Sequence, residues 1–345
     1  MKKLLLPAIC LMLTILMYSP LQTFGQNKAK AACVAFYNLE NLYDTIDDPK
    51  INDAEFTPKG LNTWTWERYQ LKLDHMAEVI SQIGDEVIKG GPTLIGFSEV
   101  ENRGVLEDLI KREALINSGY GIVHFDSPDL RGVDVALIYK KKDFTVVSSR
   151  AVPFRMAGQP NFITRDQLVV TGLLDGDTIS VIVNHWPSRS HESPYRVAAG
   201  ICNRQIVDSL YHRNKNANIL VMGDLNDDPV DESVLVALGA EGKQSRVKAG
   251  GLYNPMWQLY KDGIGSLAYK DSWNLFDQII VSEPLTRQEN ASWKLYKARI
   301  FKKQFMIQSD GQYAGYPFRT FAGGAFAGGY SDHLPAYVIL VKARE

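Results

Sequence analysis

Short apolar runs alternate with polar, glycine-rich breaks along most of the chain. Tyr69, Leu73, Met76, Ile80 and Ile83 recur at spacings of four and three, which predicts a helix with one buried face. Val105, Leu106, Leu109 and Ile110 predict a second helix, and the segment from Tyr195 to Tyr211 a third. The runs "ACVAFYNL" and "LIGFSEV" read as strands, the latter after the turn "GGP". "VDVALIYKK" and "FTVVSS" read as a strand pair, and "LVVTGLL" and "TISVIVNH" as another joined by "DGD". "ANILVMGD", "FDQIIVS" and a closing "LPAYVILVK" complete the set, while "DTIDDPKINDAEFTPKG" is a loop rich in Asp and Pro. Strands outnumber helices, and hairpins mix with helical crossovers. Two sheets packed face to face with helices outside satisfy that pattern. With no internal repeat and no linker, residues 26–345 are expected to form one domain.

The first residues read differently. Lys2 and Lys3 precede the apolar run "LLLPAICLMLTILM", with the small residues Thr23 and Gly25 at cleavage spacing. This predicts a secretory signal peptide over residues 1–25 and an exported mature chain without a transmembrane anchor. Pro7 and the shortness of the run argue against a membrane span. Removing the two lysines leaves 36 basic residues against 39 acidic ones, so a formal charge of -1 becomes -3. The chain therefore lacks the broad basic excess of a protein held to nucleic acid by charge alone. Cys33 and Cys202, the cysteines remaining after cleavage, permit one disulfide but are expected to be free thiols. "NAS" at Asn290 matches a glycosylation acceptor, a pattern common by chance.

The chemistry-bearing residues sit where strands meet loops. Glu99 ends one apolar strand, Asn184 and His185 another, and Asp224 and Asn226 a third. Asp277 starts a strand, Asp332 and His333 precede the last one, and Asn38, Glu40 and Asn41 follow the first. One acid after one strand is a turn residue. Six such places predict a rim where polar side chains converge. "GDLNDDP" starts like a calcium loop, but Pro229 stands where a sharp turn needs Gly and Leu235 where a bidentate Glu is required. No zinc or serine-hydrolase motif occurs. The mixture of carboxylates and amides suits Mg²⁺, with Mn²⁺ or Ca²⁺ as alternatives.

Taken in order, "FYNLEN", "GFSEVEN", "RGVDVALIY", "VNHWPSR", "GDLNDDP", "FDQIIV" and "SDHLP" resemble the endonuclease/exonuclease/phosphatase superfamily over nearly the whole mature chain. The resemblance implies a four-layer α/β/β/α sandwich with two packed mixed β-sheets. It implies Glu99 as principal metal ligand, with Asn38 and Asp332 close by. Asp224 would orient and deprotonate water, and Asn226 would hold a phosphate oxygen or that water. His333 and Asp277 would pair, and His185 would bind phosphate or protonate the leaving oxygen. Arg131, Arg189, Asn184 and Arg319 are candidate substrate contacts, and Asp134 a candidate neighbour of Arg131. Asp227 and Asp228 read as turn-shaping residues. The aromatic stretch from Tyr313 to Tyr330 is either a self-packed loop or a stacking flap, and "KLYKARIFKK" reads first as a solvated strand face and second as a nucleic-acid track, with both roles open to it. The expected function is metal-dependent phosphodiester hydrolysis, with DNA or RNA as first substrate. Inositol phosphates or sphingomyelin-type phospholipids are the alternative, and a non-catalytic binding module on the same fold is the rival of another class. No stable protein partner is implied, and the chain is expected to be a monomer.

Overall fold

The computed structural model describes residues 29–288 and 292–343. The expected signal peptide and Asn290 lie outside the described residues. In chain order the first half comprises β1 (Lys30–Leu42), α1 (Trp66–Gln82), β2 (Leu94–Val100), α2 (Arg103–Ile110), β3 (Tyr120–His124), β4 (Asp134–Lys140), β5 (Phe144–Val152), β6 (Gln167–Leu174) and β7 (Asp177–His185). The second half comprises α3 (Ser193–Arg213), β8 (Asn218–Asp224), β9 (Ala240–Glu241), β10 (Leu252–Tyr253), α4 (Met256–Lys261), β11 (Leu267–Tyr269), β12 (Ser272–Asn274), β13 (Asp277–Ser282), β14 (Lys294–Ile300), β15 (Phe321–Ala322), β16 (Ala325–Phe326) and β17 (Ala336–Lys342).

One sheet has the order β14-β17-β1-β2-β4-β3 and the other β5-β6-β7-β8-β13-β10-β9. Both are mixed: β1 and β2 run parallel, as do β7 and β8, within otherwise largely antiparallel ladders. The two long parallel pairs are the ones joined by α1 and α3, because a parallel return needs a long crossover; the two-residue strands β9 and β10 also run parallel.

Strand alternation builds the layers. On β1, Cys33, Ala35 and Tyr37 pack with α1 residues such as Leu73, Met76 and Ile80. The alternate residues Ala32, Val34 and Phe36 pack against Leu168, Val170, Leu220 and Met222 of the facing sheet. On β8, Ile219 and Val221 turn the other way, onto Ala199, Ile206 and Val207 of α3. The expected α/β/β/α sandwich is therefore the observed one. Gly96 marks the close approach of the sheets, since a Cβ there would lie 2.7 Å from Met222 Sδ.

One expected pairing is wrong. β4 and β5 do not form a hairpin; β4 lies between β2 and β3, and β5 is the edge strand of the other sheet, paired with β6. The burial pattern explains the split. β4 is covered on both faces, whereas β5 is largely exposed. The intervening turn passes the chain between sheets. Cys33 and Cys202 are free. No helix of the described residues is long and apolar enough to cross a membrane.

Candidate active site

The β7-β8-β13 ladder fixes three site residues by register: His185 stands opposite Asp224, and Asp224 opposite Asp277. The other sheet contributes Asn38 on β1, which pairs with Ser98, the residue before Glu99. Both sheet ends are irregular at this point, with register shifts between Asn38 and Leu42 and between Ser98 and Val100. Four non-glycine residues here adopt left-handed φ angles, Glu40 at 48°, Asn41 at 52°, Glu99 at 60° and Asn226 at 51°. Such backbone costs on the order of 1–3 kcal/mol per residue and persists where surrounding structure enforces it. At Glu99 the bulge turns the carboxylate toward the cleft, where Asn41 N–H donates to Oε2 at 2.9 Å.

Asp224 is the hub. Asn38 Nδ2 donates to its Oδ2 at 3.0 Å, and the Asn226 N–H donates to its Oδ1 at 3.0 Å. His185 Nε2 lies 3.6 Å and His333 Nε2 3.8 Å from Asp224 Oδ2. Burial pushes the Asp224 carboxyl up to about 7, with Asp277 and Glu99 adding to the rise and His333 opposing it. His333 Nδ1 donates to Asp277 Oδ2 at 2.6 Å. Burial disfavours charge on His333, but Asp277 and Asp224 outweigh it and hold the imidazole well above its ordinary pKa. The pairing with Asp277 therefore favours the charged form of the ring.

His185 is the opposite case. Burial, followed by Arg165, Arg131 and His333, pushes it well below its ordinary value, and its Nδ1 has no partner. Its Nε2 lies 3.8 Å from Glu99 Oε1. A ring in which burial disfavours the protonated form fits hydrogen bonding to a phosphate oxygen.

A cleft of roughly 690 Å³ joins these groups, with Glu99, Arg131, His185, Asp224, Asn226, Asp332 and His333 in its lining. Asn38 stays behind it, fully buried, as the residue that holds Asp224. Asn226 donates one amide hydrogen to Trp186 O at 3.1 Å and keeps the other for a ligand.

Three of the four substrate candidates change role. Asn184 is fully buried; its amide donates to Met222 O at 2.9 Å and accepts from Asn203, which ties β7 to β8 and α3. Arg189 donates to Asn226 O at 3.0 Å, Asp228 at 3.1 Å and Asp231 at 2.8 Å, and stacks on Phe276. It braces the loop after β8, with Nε and one terminal nitrogen committed to that loop. Arg319 donates to Asp332 Oδ2 at 2.7 Å and lies near Glu40, so it positions a site carboxylate. Arg131 keeps its expected place; it lines the cleft, and its one ion partner, Asp129, is 3.8 Å away. Asp134 points elsewhere, to His124 at 3.0 Å and Ser127 at 2.6 Å. His124, Asp126 and Asp134 form the one compact group of possible metal ligands found among the described residues, but His124 and Asp134 already satisfy each other.

Sequence reasoning missed Arg165. Buried beneath the cleft, it donates to His185 O, Trp186 O and Asp129, fixing the end of β7. Only a buried arginine beside a strand end would have signalled it. In the aromatic stretch, Phe321 and Phe326 pack on Trp64, and Tyr330 stacks on His75 at 4.4 Å. Phe321 and Phe326 also meet each other at 5.6 Å, so these rings pack partly within the stretch and partly on the scaffold. Asp227, bound by Arg196 at 2.7 Å and Ser233 at 2.7 Å, shapes its loop as expected.

Known proteins share this fold. No match was found among curated proteins. The structure resembles D. rerio TDP2 complexed with a single-strand DNA product (13% identity, TM-score 0.55, covering 90% of this chain and 98% of that one). It also resembles the human Nocturnin catalytic domain (17%, 0.53, 90% and 94%) and a Bacteroides thetaiotaomicron mannosyl-6-phosphatase (17%, 0.54, 90% and 99%). A family model described as the endonuclease/exonuclease/phosphatase family matches residues 33–342. Since that match spans nearly every described residue, the chain belongs to the endonuclease/exonuclease/phosphatase family and is an enzyme of phosphoester hydrolysis.

Proposed function

We propose that this enzyme is an exported, divalent-metal-dependent phosphodiesterase that hydrolyses nucleic acid, with single strands preferred. The observation that carries the reading is Asp224 at the centre of an open cleft, 3.6 Å from His185 and 3.8 Å from His333. The structural likeness to a protein bound to single-strand DNA supports the substrate class.

The donor set fits a hard cation. Glu99 and Asp332 present carboxylates to the same cleft as Asp224, whose carboxyl is raised by burial and by neighbouring negative charge. Glu99 and Asp332 would hold the cation, with Asn38 close behind. When bound, it would supply charge neutralisation at the phosphate.

The chain's own residues do the rest. Asp224, held on both oxygens, orients water and accepts its proton, and its raised pKa suits a base working near neutral pH. His333, fixed by Asp277 and favoured in its charged form, meets the negative charge that grows on the phosphate. His185 and the free amide hydrogen of Asn226 direct further hydrogen bonds to it, and Arg131 approaches from the rim. The test is a comparison under matched Mg²⁺ of cleavage of a short single-stranded oligonucleotide with phosphate release from inositol polyphosphates. Oligonucleotide cleavage is expected. Phosphate release with an inert oligonucleotide would replace the nuclease reading with a phosphatase one.

A further inference from the structure

One wall of the cleft is unlike the rest. Beyond Arg131 and His185, the lining continues into Leu130, Phe162, Ile163 and His191. Leu130 is 71% exposed and Ile163 44%, although both flank a densely charged site. Single exposed apolar residues are ordinary; here they come from separate loops and share one cavity with the phosphate-binding groups.

The wall is also built. Phe162 meets His191 edge-on at 5.2 Å and 78°, and Tyr195 at 4.7 Å. Phe154 backs Phe162 at 5.7 Å. The rings come from the loop before β6 and the start of α3, so two elements fix Phe162. Several of the polar groups around it are already engaged. Ser188 and Ser190 bond each other at 2.6 Å, and Asp129 is bound to Arg165 at 3.1 Å. A ligand part rich in hydroxyls would find few free partners here, whereas a flat, weakly polar ring would find edges and faces of aromatic side chains.

Resting on the nuclease reading above, we propose that Phe162 and His191, flanked by Leu130 and Ile163, form a subsite for the nucleobase next to the phosphate being hydrolysed. Arg131 follows Leu130 directly, so one loop addresses both the phosphate and the base. Phe162 is then a specificity-determining residue. The subsite also explains a preference for single strands, since only an unpaired base can stack on a side chain.

The experiment is calorimetric titration of the full chain in Mg²⁺ with deoxyadenosine 5′-monophosphate and, separately, with deoxyribose 5-phosphate. The nucleotide should bind roughly tenfold tighter or more, the scale expected for one stacked base. Phe162→Ala should bring the ratio near one while leaving the sugar phosphate's affinity in place, and Phe162→Tyr should keep the ratio. Equal affinities in the unaltered protein, or a ratio that survives Phe162→Ala, would overturn the subsite. So would parallel weakening of both ligands, which marks a structural effect. Should oligonucleotides resist cleavage while the ratio behaves as expected, the polymer substrate falls and the base subsite stands. Should they be cleaved with a ratio of one, the subsite alone falls.

Discussion

His333 shows how one contact sets a charge. Its Nδ1 is 2.6 Å from Asp277 Oδ2, and Asp277 is the leading influence that holds the ring's pKa up against burial. The positive charge is present below that raised pKa and lost as pH rises through it. Asp277→Asn should therefore move the alkaline loss of kcat/KM to lower pH, read from paired pH–rate profiles; an unmoved limb would contradict the pairing. Glu101 is raised too, but there the favoured protonated form is the neutral one. Burial pushes its carboxyl from 4.5 up to about 8, with Asp44 and Asp53 contributing. The folded state then holds the proton more tightly than the unfolded one, so stability is full below about 4.5 and falls as pH rises toward 8. Thermal midpoints across that window should fall less in Glu101→Gln than in the unaltered protein. At the rim, Arg131→Ala should raise KM for oligonucleotides about tenfold and change kcat less, since the residue meets substrate from the edge.

Among elements, α1 is tied to the site through a buried lysine. Lys72 Nζ donates to Thr320 Oγ1 at 2.6 Å and to Tyr330 O, and lies 3.9 Å from Glu40. Glu40 in turn accepts from the Thr320 N–H at 2.7 Å. Removing one member of a buried pair leaves the other charge unmatched, at a cost of about 3–5 kcal/mol. Lys72→Met should destabilise by that order in denaturant unfolding, and adding Glu40→Gln should restore part of the loss. The helical spacing from Tyr69 to Ile83 announced α1, but nothing in it announced that Lys72 points inward, because the partners lie some 250 residues away. The same limit explains the errors elsewhere. Glu99, Asp224, Asp277 and His333 were legible because each sits at the end or border of a recognisable strand. Asn184, Arg189 and Arg319 carry the right chemistry near the right motifs, yet their hydrogen bonds point into the scaffold. The β4 and β5 pairing failed because adjacency in sequence does not say which sheet a strand joins.

The whole molecule places its chemistry at one end of a sandwich, where strands of both sheets deliver side chains to a common cleft. The mature charge of -3 expected after loss of Lys2 and Lys3 gives the chain no broad basic excess to hold a polymer. Few phosphates should be contacted, so binding to duplex DNA should weaken shallowly with salt, each neutralised phosphate adding a log–log slope of roughly 0.9. Chelation should abolish turnover, with recovery on adding Mg²⁺ or Mn²⁺. The most direct measurement is oligonucleotide hydrolysis by Asp224→Asn, a change that keeps shape and removes the proton acceptor at the hub. A folded variant with turnover lower by about two orders of magnitude or more is the predicted result. Turnover like that of the unaltered protein would contradict the assignment of this cleft as the catalytic site.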